Sequence, residues 1–162
     1  MSGSPLSAAA QTVQTALAAL GVTTTVAELP TSTRTAQEAA ASVGCDVSDI
    51  VKSLVFVGRV SGRTWLVLVS GAHRVDERKL AGVVGEDMRV ATAEEARERT
   101  GFAVGGIPPV GHVATLPTVV DSHLQERTLV WAAAGTPHAV FQIEAQALVR
   151  ITSGLVSGIA RD

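Results

Sequence analysis

Two apolar runs of strand length, residues 51–57 and 64–70, stand either side of Gly58, Ser61 and Gly62. This pair constrains the fold more than any other feature, because turn-forming glycines between two β-branched, apolar segments specify an antiparallel hairpin. The remaining elements follow from caps and breakers. Ser4 or Ser7 caps a helix to about residue 20, with Leu6, Val13, Leu17 and Leu20 on one face and Gly21 as its stop. Residues 22–29 read as a strand closed by Pro30, and Thr33 starts a helix that reaches residue 43 and ends at Gly44. A short helical turn at 46–50 leads into the hairpin.

Beyond the hairpin, Asp76 caps residues 77–84, residues 88–91 form a short strand, and Thr92 caps 93–100 with Glu95 completing a capping box. Gly101 stops that helix. Strands are expected at 118–121, 128–133 and 139–143, then a short helix at 144–149 and a last strand near 155–159. The order predicts one mixed α/β (α+β) domain spanning residues 1–162, without repeat or linker.

A chain of 162 residues can bury a sizeable core unaided. With 46% hydrophobic and 17% charged residues, it lies far from the disordered class. No apolar run approaches membrane-spanning length, no basic leader precedes the first helix, and Cys45 is the sole cysteine. A cytoplasmic protein is expected. Net charge of -2 argues against broad binding to phosphate backbones, so any nucleic-acid contact is local. Lys52 and Lys79 are the only lysines beside eleven arginines.

Four histidines, at 73, 112, 123 and 138, show no ligand spacing, and no cofactor motif is present, so neither metal nor cofactor is expected. Residues 101–111 carry Gly101, Gly105, Gly106, Pro108, Pro109 and Gly111, which is an ordered loop. Paired glycines let a ligand approach the backbone and leave N–H groups free to polarise a carbonyl; a tight structural turn is the other reading. Lys52 interrupts an apolar strand, either on an exposed face or projecting into a cleft toward an anion. His138, after Gly135-Thr136-Pro137, reads first as a structural histidine.

These residues together resemble the YbaK/EbsC family of aminoacyl-tRNA deacylases, free-standing relatives of the editing domain of bacterial prolyl-tRNA synthetases. The resemblance runs through Thr35-Ala36, Ile50-Val51-Lys52-Ser53-Leu54, Thr100-Gly101 with Gly105-Gly106-x-Pro108, Leu116-Pro117 before the strand ending in Asp121, and Ala134-Gly135. It implies a curved mixed sheet around a central cleft, flanked by helices, and hydrolysis of the ester between a wrong amino acid and the terminal adenosine of tRNA. Lys52 would hold the terminal phosphate or ribose, and the amides near Gly105, Gly106 and Ile107 would receive the aminoacyl carbonyl.

The resemblance thus implies Lys52, Gly105 and Gly106 as catalytic groups. Around the substrate it implies Ser53, Thr35, Gly101, Ile107, Pro108, His112, Ala134, Gly135, His138 and Gln142. The expected partners are the acceptor end of an aminoacyl-tRNA and a synthetase, with the chain itself a monomer. Three departures stand out. Many members read Gly-Gly-x-Ser-Pro where this chain has Gly106-Ile107-Pro108-Pro109, so a loop hydroxyl is missing. Ala133-Ala134-Gly135 and Gln142 replace the Ser-Gly-Gly and later Asp of members that process Cys-tRNA. Thr35 and Ala36 stand where a bulkier aromatic walls the pocket in that branch, which points to a roomier pocket. A binding module that keeps the fold without catalysis is the alternative function.

Overall fold

The computed structural model describes residues 5–162. Helix α1 (Ala8–Ala19) is capped by Ser7, whose Oγ accepts the Ala10 amide at 3.3 Å; Ser4 lies outside the described residues. Ala10, Val13 and Leu17 are wholly buried on its inner face, whereas Leu20, expected there, is exposed. The strand expected at 22–29 shortens to β1 (Ala27–Glu28). Upstream of it, Gln14 of α1 takes over the pairing: its Nε2 donates to the Thr24 carbonyl and its Oε1 accepts the Val26 amide. A side-chain amide there satisfies backbone groups that a ladder would otherwise need.

Helix α2 (Ala36–Val43) starts later than expected because Thr35, not Thr33, is its cap. Thr35 and Glu38 form a reciprocal capping box, and Gly44 ends the helix at φ 76°. Thr33 instead donates its amide and hydroxyl to the Pro137 carbonyl. After a 3-10 turn (Val47–Asp49) come β2 (Val51–Gly58) and β3 (Thr64–Ser70), paired antiparallel with Lys52 opposite Val69. The hairpin is as expected, and both of its faces are buried. Leu66 and Leu68 enter the main core while Val67 and Val69 enter a second one with Phe56 and Leu80, as a period of two requires.

Helix α3 (Glu77–Val84), β4 (Met88–Val90) and α4 (Ala93–Thr100) carry the expected caps Asp76 and Thr92. Strand β5 (Thr118–Asp121) runs into α5 (Ser122–Gln125), a single turn that no sequence signal had marked. Strands β6 (Leu129–Ala133) and β7 (Ala139–Glu144), helix α6 (Ala145–Thr152) and β8 (Leu155–Ser157) complete the order. The last strand stops short of residue 159 because the Ile159 and Ala160 amides turn to the buried Asp121 carboxylate, at 2.9 and 3.1 Å.

The strands form a mixed five-stranded sheet, β4-β2-β3-β5-β8, and an antiparallel three-stranded sheet, β1-β7-β6. A parallel bridge between Ile50 and Trp131 joins them. The fold is mixed α/β. The junction at Ile50 leaves an opening between the two sheets, roofed by the start of α2 and by the loop 101–111.

Candidate functional site

That opening is a cleft of about 160 Å³. Four segments wall it: residues 50–54 at the head of β2, Thr35, Ala36 and Ala39 at the start of α2, Val104, Gly105 and Ile107 of the loop, and Trp131 to Ala133 of β6. Lys52 is therefore a cleft residue, not a solvated strand lysine. Its ammonium donates to the His73 carbonyl. Burial pushes the Lys52 ammonium below the ordinary lysine range, and the Arg74 charge pushes the same way. Beneath it the His73 ring stacks on His123 at 4.2 Å, and His123 Nδ1 lies 2.8 Å from the Asp121 carboxylate.

The loop owes its shape to its glycines. Gly106 N–H donates to the Ala103 carbonyl at 3.1 Å, closing a turn with Gly105 in third place at φ 95°. Val104, in second place, has negative φ, so the turn is type II, which requires a residue tolerant of positive φ at that point. The amides of Gly105 and Ile107 have no hydrogen-bond partner among the described residues. Ser53 also lines the cleft, and its hydroxyl is buried without a hydrogen-bond partner among the described residues. The cleft thus brings residues with free backbone N–H groups beside the Lys52 cation, in a wall that is mostly apolar.

The structure gathers Lys52, Ser53, Thr35, Gly105 and Ile107 around this cleft and places the other expected residues elsewhere. Thr35 lines it, but its hydroxyl is taken by the Glu38 amide. Gly106 sits behind the loop, packed backbone to backbone on Thr136, and its N–H is consumed in the turn, so it is not a free donor. Gly101 is the left-handed cap of α4. Pro108 is buried with its carbonyl 2.7 Å from His112 Nε2; burial pushes His112 below the usual histidine range, and it lines a separate cavity beside Leu116. Ala134 belongs to the core, and Gly135, at φ 102°, donates to the Gly106 carbonyl. His138 is exposed, with Nδ1 3.1 Å from the Thr31 carbonyl, and Gln142 borders another cavity.

Two residues escaped the sequence reading. Arg34 lies against Gly105, exposed at the mouth and without an ion pair among the described residues. Only its place beside the α2 cap hinted at it. Trp131 faces the cleft from β6, which alternation with the buried Val130 and Ala132 foreshadowed. Among the described residues no group of His, Cys, Asp or Glu could hold a metal, and no helix is long and apolar enough to cross a membrane.

Residues 31–151 match the family of the aminoacyl-tRNA editing domain. A crystal structure provisionally described as a trans-editing enzyme for prolyl tRNA synthetase superposes with TM-score 0.92 at 48% identity, covering 98% of this chain and 100% of that one. YwhH of Bacillus subtilis is 29% identical over 118 residues, 73% of this chain and 74% of its own length. EbsC of Enterococcus faecalis, provisionally described as a Cys-tRNA(Pro)/Cys-tRNA(Cys) deacylase, is 26% identical over 120 residues, 74% of this chain and 73% of its own.

Proposed function

The chain belongs to the aminoacyl-tRNA editing domain family, and from that premise we propose that residues 1–162 work as one trans-editing deacylase, removing a wrong amino acid from tRNA by ester hydrolysis. The observation that carries this reading is the meeting of Lys52 with the unpaired amides of Gly105 and Ile107 in one small cleft. The acceptor end enters past Arg34, whose free guanidinium suits a phosphate. Lys52 holds the terminal phosphate or ribose oxygens, and the ester carbonyl turns toward the Gly105 and Ile107 N–H groups. Water adds to the acyl carbon, the bond to the ribose oxygen breaks, and that oxygen takes a proton, releasing amino acid and tRNA.

Among the described residues no side chain in the cleft is a nucleophile paired with a base. Rate therefore comes from positioning and from donors aimed at the developing oxyanion, each of which is worth on the order of 10²–10³ in rate. The neighbouring ribose hydroxyl of the substrate can orient the water.

The test is hydrolysis of a panel of tRNAs charged with Ala, Ser, Thr, Cys and Pro. Selective turnover of one or a few is expected. If none is hydrolysed while an amide-linked aminoacyl-adenosine raises the melting temperature, the protein is a binding module instead.

A further inference from the structure

Trp131 sits at the junction of the two sheets, bridged to Ile50. It lines the cleft on one side. On the other it lines a second cavity of about 370 Å³, bordered by Cys45, Asp49, Arg127 and Gln142. Among the described residues it is the only one that lines both. Trp131 is thus common to the walls of the two spaces. Small residues on the facing helix, Ala36 and Ala39, leave the room that the sequence suggested, and Trp131 takes it back from the opposite wall.

We propose that Trp131 is the specificity-determining residue of this cleft, its indole setting the upper size of the amino-acid side chain that can enter. This rests on the deacylase reading above. At about 160 Å³ the cleft is well below the roughly 300–1,000 Å³ of sites that enclose drug-sized ligands, which leaves room for only a short amino-acid side chain beside the ester. Its lining residues include two cations, Lys52 and Arg34, and no carboxylate, so a cationic side chain is repelled and finds no partner. The class admitted is therefore short and not cationic. The obstacle to a longer chain is a single aromatic ring, behind which space already exists.

Steric exclusion of this kind has a recognisable signature. A methylene in an apolar pocket changes kcat/KM by about 10–200-fold, and removing the wall should return that factor to the longer substrate alone. The experiment compares wild type, Trp131→Ala and Trp131→Phe on one tRNA body charged with Ala, Val, Leu or Phe, and reads the ratio of kcat/KM for each long ester to that for alanyl. Wild type should favour alanyl. Trp131→Ala should raise the leucyl and phenylalanyl ratios by about tenfold or more, and Trp131→Phe, which preserves most of the packing, should raise them less and in the same direction. Far-ultraviolet melts establish that each variant is folded, and if Trp131→Ala is not, the Phe variant decides. An unchanged ratio in a folded variant, with the wild type active on alanyl-tRNA, overturns the role of Trp131 and leaves the deacylase reading standing. A wild type inert on all four esters overturns both.

Discussion

Gly106→Ala tests whether the loop is held open by close backbone contact. A Cβ at Gly106 would lie 2.7 Å from the Thr136 backbone, a distance no real Cβ adopts, and neither backbone segment can step aside as a flexible side chain would. The segments must separate, which also stretches the 2.9 Å bond from the Gly135 amide to the Gly106 carbonyl. Overpacking costs about 1–3 kcal/mol and the weakened hydrogen bond about 1 kcal/mol. A total of roughly 2–4 kcal/mol lowers the melting temperature by about 4–16 °C at this chain length. A loop displaced by about 1 Å also loses on the order of 100-fold in deacylation, since Gly105 and Ile107 move with it. Gly82→Ala in α3 is the control: nothing lies within 4 Å of its Cβ position, so the same methyl should stabilise by about 0.5–1 kcal/mol. Calorimetry on both variants, with single-turnover hydrolysis, measures all of this. If Gly106→Ala melts within about 2 °C of wild type, the reasoning from contact distance is wrong.

Asp121 is fully buried and accepts from two buried amides, Ile159 and Ala160, so Asp121→Ala should cost about 3 kcal/mol or more by denaturant unfolding, and Asp121→Asn less. Ser53→Ala removes a buried hydroxyl that has no partner; stability should rise by about 1 kcal/mol with KM for the aminoacyl-tRNA unchanged, and a fall in stability would show that the hydroxyl is satisfied. Lys52 gives a pH signature. Its lowered pKa means that the ammonium is lost below the ordinary value of about 10.4, so affinity for an amide-linked aminoacyl-adenosine should fall as pH rises through that lower range. Over the same window the folded state binds fewer protons than the unfolded one, so the stability of wild type relative to Lys52→Met should rise with pH. Opposite trends in binding and stability are the expected result, and Lys52→Arg should keep its affinity to higher pH.

Much of the framework is written locally. Thr92 with Glu95 forms the cap its spacing predicts, and Gly44 and Gly101 end their helices in left-handed conformation, whereas the box of Thr35 with Glu38 displaces the expected start at Thr33. The hairpin and the loop 101–111 were legible for the same reason, since glycine and apolar period act within a few residues. What was not legible depends on partners far along the chain. The strand at 22–29 dissolves because Gln14 bonds its backbone, and α5 forms because the buried Asp121 caps one turn. At the site, Lys52 and Gly105 stood out as a lone cation in an apolar strand and a glycine in a punctuated loop. His112 adjoins that loop, and Gly135, His138 and Gln142 lie at a later turn and strand, yet their groups close turns or border other cavities. Arg34 and Trp131 reach the cleft only through tertiary packing.

The most direct test of the central claim is the single-turnover rate of ester hydrolysis on the preferred aminoacyl-tRNA, measured for wild type and Lys52→Ala at equal, saturating enzyme. The variant should fold, with a melting temperature close to wild type, and lose hydrolysis by on the order of 100-fold or more through lost positioning of the acceptor end. A folded Lys52→Ala that hydrolyses at the wild-type rate would contradict the claim.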